Sequence, residues 1–306
     1  MQEATTANYI NRVFVNNPQV FVETCEDEYK RSIAEFTERV CAREGHTLVM
    51  LAGPSSSGKT TTASILAANL AQHGRGAVTV SLDDFYLSRD EVPLFEDGTP
   101  DFESVYALDI PMIASCLKKL DAQGECDLPI FSFQKGCRED FTRHVCIDDN
   151  DVVIVEGLHA LNPVITDPLP EEDLLKLYIS VSTRIYDDDG KVFLTKRDLR
   201  FIRRMVRDFK HRNSPVERTF ELWKGVRKGE DRYLFPFACN ADVRINTMHL
   251  YEPCVFKSVA INHLEDVPAS SPYYEKACQL IEKLSAFETM SLENVPECSL
   301  LNEFLR

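Results

Sequence analysis

The stretch "HTLVMLAGPSSSGKTTT", His46 to Thr62, constrains the fold more than any other part of the chain. An unbroken apolar run ends in Gly53, and Gly58, Lys59 and Thr60 follow four residues on. Apolar residues without alternation read as a parallel strand buried on both faces. The two glycines allow backbone angles closed to other residues, so successive N–H groups can turn inward on an anion. A helix from Gly58 to about His73 would aim its positive end at the same anion. Lys59 can bridge outer phosphates and Thr60 can coordinate Mg²⁺. The candidate nucleotide contacts are therefore Gly53, Ser55, Ser56, Ser57, Gly58, Lys59, Thr60 and Thr61. A ligand-free serine-rich turn would give Lys59 no reason to be there.

Four further segments read as strands: "GAVTVSLDD", "DVVIVEG", "LLKLYISVS" and "ADVRINT". Helical spacing marks 26–43, with Tyr29, Ile33, Phe36 and Val40 on one face and Thr24 as N-cap. It also marks 109–121, 195–212 and 215–228. A last helix, about 272–287, would start with Pro272 and bury Tyr274, Ala277, Ile281, Leu284 and Phe287. Residues 1–24 look irregular, with "VFVNNPQVFVET" as a short strand pair. Residues 86–150 are rich in Pro, Gly and acids. Strands alternating with helices predict an α/β fold with a doubly wound parallel sheet, whose ligands bind at the carboxyl ends of the strands.

Those ends carry acids. Asp83 and Asp84 follow "VTVSL", and Glu156 follows "VVIV". Beside a phosphate loop, one acid can hold Mg²⁺ and another can take the proton of an attacking hydroxyl. Asp84 serves equally well as a solvent-facing acid. The segment "KRDLRFIRRMVRDFKHR" holds eight of the chain's 34 Lys and Arg residues. Arg200, Arg204, Arg207 and His211 share one helical face, while Leu199, Ile202, Val206 and Phe209 share another. One stripe should pack, and the cationic one should serve as a lid that neutralises phosphate charge.

The net charge of −15 argues against a nucleic-acid partner, which normally demands a basic surplus. No apolar run reaches the ~18 residues of a membrane span. Ten scattered cysteines without metal-ligand spacing, together with an N-terminus lacking a basic start or an apolar run, read as reduced thiols in a cytoplasmic protein. Cys41 and Cys278 lie in helical patterns and read as buried.

The set "GPSSSGKT", "SLDDFY", "DFESVYALD", "VVIVEGLHALNP" and "RRMVRDFKHR" resembles the uridine kinase and phosphoribulokinase family of P-loop kinases over about residues 46–250. It is closest to a bacterial uridine-kinase-like branch, in which "VRKGEDRYLFPF" and "VPECSLLNEFLR" also have counterparts. Longer members of that branch carry a preceding domain, so the chain is expected to begin near that domain's end or to lack it. The resemblance implies ATP and Mg²⁺ as cofactors, with Thr60 and Glu156 at the metal. It implies Asp83 as general base, Phe85 and Tyr86 near the substrate, and Arg204, Arg207 and Arg212 as lid arginines. Glu103 stands where the family's "FDHPDAFD" places an aspartate on the ribose hydroxyls.

Two positions depart from the family pattern. Phe131 replaces the tyrosine and Gly136 the histidine that read a pyrimidine. Lys135 and Arg138 nearby could suit an anionic substrate, or could be loop charge. The expected organisation is an N-terminal extension with a helix (1–45), a P-loop kinase domain (46–265) with its helical lid near 195–230, and a C-terminal helix and tail (266–306). The expected activity is phosphoryl transfer from ATP to a hydroxyl of a small molecule, a nucleoside such as uridine or cytidine. Alternatives are a sugar, sugar phosphate or other small alcohol as acceptor, or a nucleotide-binding regulatory module. No N-K-x-D guanine motif occurs. The helices at both ends could pack on the core or on a second subunit.

Overall fold

The computed structural model describes residues 5–306. Helix α1 (Ala7–Asn16) is capped by Thr6, and α2 (Pro18–Cys41) is capped by Asn17. Strand β1 (Thr47–Ala52), helix α3 (Lys59–Gln72) and strand β2 (Ala77–Ser81) follow. Helix α4 is Ile110–Gln123. Short strands β3 (Glu125–Leu128), β4 (Phe131–Ser132), β5 (Cys137–Arg138) and β6 (Arg143–Cys146) pair antiparallel, β3 with β6 and β4 with β5. Then come β7 (Val152–Gly157), α5 (Pro163–Thr166), β8 (Leu174–Ser180) and the hairpin β9 (Ile185–Tyr186) and β10 (Val192–Leu194). The chain ends with α6 (Lys196–Arg212), α7 (Val216–Tyr233), β11 (Val243–Asn246), α8 (Glu252–Glu265), α9 (Tyr274–Ser285) and α10 (Asn302–Leu305).

Five strands form one parallel sheet in the order β11-β8-β1-β7-β2. The central strand explains its own composition. Leu48, Met50 and Ala52 enter one core, while Val49 and Leu51 enter the other. Both faces are covered, so every position after Thr47 along β1 is apolar. The first core joins α1–α3 to α6–α9 and the C-terminal tail, and the second packs α4, α5 and Phe85 beneath the opposite face. Gly53, Asp83 and Glu156 therefore emerge along one edge of the sheet, at the carboxyl ends of β1, β2 and β7.

Several expectations needed correction. The stretch 13–24 is helical on both sides of Asn17, not a strand pair. Pro18 takes the first turn of α2, where its missing N–H is harmless. Thr24 is not an N-cap but lies inside α2, its hydroxyl donating to the Val20 carbonyl at 2.7 Å. Helix α9 begins at Tyr274, so Pro272 precedes it, Leu280 rather than Tyr274 is buried, and a further short helix, α10, follows it. Cys278 is exposed and Cys41 half-buried. Phe209 is 39% exposed, with its ring against His263 rather than in the core. Arg200 leaves the cationic stripe altogether, being 2% exposed. Helix α8 and the short hairpins have no counterpart among the expected elements.

Candidate active site

The loop after β1 is shaped by three backbone facts. A Cβ on Gly53 would sit 2.5 Å from the Ile179 carbonyl and 2.6 Å from Ser57 Oγ, so only glycine fits. Ser56 and Gly58 have φ of +59° and +88°. These left-handed turns fold successive N–H groups toward one point and aim α3 at it. Ser56 and Ser57 carry buried hydroxyls with no hydrogen-bond partner. Unsatisfied buried polar atoms are costly unless a ligand completes them, so the cradle fits a bound phosphate chain. Lys59 curls back over the loop, its Nζ donating to the Gly53 carbonyl at 3.0 Å.

The acids gather beside it. Asp83 opens on the cleft, yet surrounding protein raises its pKa, with Lys59 opposing and Asp84 assisting. Glu156 is 7% exposed and accepts from Ser81 Oγ at 2.8 Å. Burial raises its pKa too, while Lys59 opposes. Glu103 is pushed up to about 7 by burial, with Arg204 opposing and Glu230, Asp83 and Asp101 adding to the rise. Buried His159 is pulled down to about 4 by burial and by the charge of Lys59, so it is neutral near pH 7. Asp84 acts structurally instead, its Oδ1 accepting from the Phe131 N–H at 3.3 Å.

Helix α6 divides its arginines between two roles. Arg200 forms two bonds to Glu230, at 2.6 and 2.7 Å, and the pair grips Ser55 at both its N–H and its carbonyl. Arg203 pairs likewise with Glu252, at 2.8 and 2.6 Å. Both guanidiniums brace the loop from behind. Arg204, Arg207 and Arg212 face the cleft with Asp208 among them, at 3.1, 2.8 and 3.4 Å. One carboxylate against three guanidiniums leaves a cationic surplus toward the loop. Arg204 also donates to Ser55 Oγ at 2.8 Å.

A cavity of about 280 Å³ collects Ser55–Thr60, Asp83, Glu156, Arg204, Arg207 and Arg212. A second, of about 500 Å³, is walled by Phe102, Phe131, Leu222 and Arg89. The two share Tyr86, Glu103 and Phe133. Tyr86, Phe131 and Phe133 lie edge to face or tilted, with centroids 5.2–6.2 Å apart. Phe85 is absent from both cavities; it is fully buried in the second core. Gly136 accommodates Arg89, whose side chain fills the space a Cβ would need. Lys135 pairs with Glu139, and Arg138 with Asp109, so neither is an unpaired charge. Sequence reasoning missed Glu230, Glu252, Asp208 and Glu303, because the contacts that give them their roles are made only in the folded chain.

A phosphate cradle flanked by acids at the next two strand ends is the site of a P-loop phosphotransferase. Residues 48–252 match the model of the Phosphoribulokinase / Uridine kinase family, and the chain belongs to that family. The uridine kinase of Lactobacillus helveticus is 28% identical over 201 residues, covering 65% of this chain and 86% of that protein. A Staphylococcus epidermidis uridine kinase is 28% identical over 200 residues, with the same coverage. A possible uridine kinase from Bacillus stearothermophilus superposes with a TM-score of 0.47 at 19% identity, covering 70% of this chain and 98% of that one. The family's enzymes transfer phosphate to hydroxyl groups, and this chain is of that class. The family's donor is ATP, generally with Mg²⁺. Among the described residues, no helix is long and apolar enough to cross a membrane.

Proposed function

We propose that this chain moves the γ-phosphate of ATP to a hydroxyl of a small molecule held in the aromatic cavity, most simply a nucleoside such as uridine or cytidine. One observation carries the reading: the phosphate cavity and the aromatic cavity meet at Tyr86, Glu103 and Phe133, beside Asp83. A donor seated on the loop and an acceptor seated among the rings would bring their reacting ends to Asp83. There, Asp83 takes the acceptor's proton as the oxygen attacks. Lys59, Arg204, Arg207 and Arg212 neutralise the charge that moves with the phosphoryl group. Thr60 and Glu156 would hold Mg²⁺, which adds further neutralisation when bound. Glu103 receives the acceptor's other hydroxyls. Tyr86, Phe131 and Phe133 offer faces and edges for a base or another flat group.

A second acceptor class is favoured by Gly136 and Arg89. No side chain at 136 can read a base edge, and the space is taken by Arg89, which donates to the Phe133 carbonyl at 2.9 Å. Among the described residues Arg89 has no ion pair. A cation on the rim of an aromatic cavity suits an alcohol that carries its own phosphate or carboxylate. The test is an acceptor screen with Mg-ATP and ADP release as readout, over nucleosides, pentose phosphates, polyols and carboxylated alcohols. Turnover that depends on uridine or cytidine supports the first class, and dependence on an anionic alcohol supports the second. Nucleotide binding with no acceptor dependence would refute both and favour a regulatory module.

A further inference from the structure

The C-terminal tail enters the phosphate site. Glu303 Oε2 accepts from Thr61 Oγ1 at 2.7 Å and from the Thr61 N–H at 3.3 Å, across 242 residues of sequence. Thr61 lies in the first turn of α3, whose N-cap is Gly58 and has no side chain to offer. The first N–H groups of a helix have no partner within it, and an anion there is favoured. Glu303 supplies that anion from the far end of the chain. It lines the same cavity as Lys59, Asp83 and the three cleft arginines.

The tail that carries it is fixed. Leu300, Leu301 and Phe304 are fully buried, and a Cβ on Gly58 would overlap Leu300. The Phe304 ring lies 5.2 Å from the Arg203 guanidinium, which also reaches the Ser56 carbonyl at 3.4 Å. Lys210 Nζ donates to the Leu305 carbonyl at 2.6 Å. Loop and tail therefore share one packed unit. Glu303 itself is half-buried and lines the cavity, while the residues on either side of it hold the tail in place.

We propose that Glu303 is a specificity-determining residue of the donor site. Its carboxylate holds the Thr61 donors until an inner phosphate of the nucleotide displaces it. The inference rests on the loop being the nucleotide site. A cradle of this kind presents its helix N–H groups to the inner phosphates, and each Thr61 donor carries a single hydrogen. Carboxylate and phosphate cannot both be satisfied there, and both are anions. Nucleotide binding must therefore release Glu303 from Thr61 and leave a negative charge close to the phosphates. That charge selects for donors whose phosphates are well neutralised by Mg²⁺, Lys59 and the arginines. It penalises ligands with a lone inner phosphate most, because nothing else about them compensates.

The experiment compares the full chain with Glu303→Gln and Glu303→Ala by calorimetric titration of AMP, of a non-hydrolysable Mg-ATP analogue and of adenosine. Glutamine keeps the shape and an acceptor but removes the charge. Glu303→Ala should bind AMP about tenfold more tightly, the size of one charge-assisted hydrogen bond no longer in competition, and Glu303→Gln, which keeps a neutral acceptor, should gain in the same direction but less. The Mg-ATP analogue should gain less, and adenosine, which carries no phosphate, should gain nothing. Equal or weaker AMP binding by a variant that melts cooperatively would overturn the competition. So would a gain shared by adenosine, which would mark a general loosening of the site. Failure of the underlying reading looks different: wild type and Lys59→Ala would bind the Mg-ATP analogue equally, and the assignment of Glu303 would fall with it.

Discussion

Replacing Arg200 by methionine tests whether the buried arginines of α6 brace the loop or bind phosphate. Arg200 and Glu230 are 2% and 0% exposed, so a Glu230 carboxylate left alone would be cut off from solvent. Breaking such a pair by removing one partner typically costs about 3–5 kcal/mol. Unfolding entropy of about 2.1 cal/mol/K per residue makes each kcal/mol worth about 1.5 °C for a chain of 306 residues. Arg200→Met should therefore lower Tm by about 5–8 °C. The double variant Arg200→Met/Glu230→Leu removes the orphaned charge and should recover part of that loss. A residual deficit of about 1–3 kcal/mol should remain, because the Ser55 N–H loses its acceptor. Thermal melts of the three proteins, with and without ADP, make the comparison. A single variant that melts like wild type yet loses ADP affinity would refute the bracing role, since the guanidinium would then be a phosphate ligand.

Asp83→Asn should lower kcat by about 10²–10⁴-fold while nucleotide affinity holds, as loss of a general base requires; near-wild-type turnover in steady-state assays would remove that role from Asp83. Glu103 has a folded pKa of about 7 against an ordinary 4.5, raised first by burial. The fold therefore favours its neutral form, and the stability this lends is complete below pH 4.5 and lost as pH rises through 7. Glu103→Gln should raise Tm above pH 7 and leave it unchanged below about pH 4.5. The wild-type KM for the acceptor should fall as pH rises through 7, because the ionised carboxylate is the better acceptor of hydroxyl hydrogens, and the glutamine variant should show no such inflection. Gly58→Ala combines a left-handed residue with overlap on Leu300, costs of about 1–2 and 1–3 kcal/mol. Its Tm should drop by about 3–8 °C, and a melt like wild type would mean that the tail does not press on the loop.

How much of this was legible in the sequence depended on how local each cause is. The strand before Gly53 and the helix after it were readable, because burial on both faces and glycine geometry leave marks within a dozen residues. Sheet order was not, since nothing in "VVIVEG" records that its neighbours are β1 and β2. The first helices run against their local sequence for a specific reason. Val13, Phe14, Val15, Val20, Phe21 and Val22 form two β-prone clusters around Asn-Asn-Pro, which favours a strand pair on local grounds. Tertiary burial of Ile10, Phe21 and Val22 against the sheet overrides that preference. The arginine stripe is split in the fold, and a helical wheel does not distinguish a guanidinium facing water from one facing a carboxylate on another helix, as Arg200 faces Glu230.

The unseen carboxylates change the meaning of the visible arginines. Arg200 and Arg203 stand beside Arg204 in the same helix turn, but each has its own buried glutamate, from α7 and α8. Their charges are spent on holding Ser55 and the Ser56 carbonyl. Among the described residues, Arg204, Arg207 and Arg212 share only Asp208, so their surplus faces the cleft. Across that cleft lie Asp83, Glu103, Glu156 and Glu303, with Lys59 of the loop itself among them. Four acids facing Lys59 and three arginines leave little net charge to attract a nucleotide. Affinity must come from directed donors, and two of those, on Thr61, are held by Glu303. On the proposed reading, the acids around the loop also set how strongly a bound donor must be neutralised before it can enter, and the C-terminal tail would then belong to the donor site and not merely to the core beneath it.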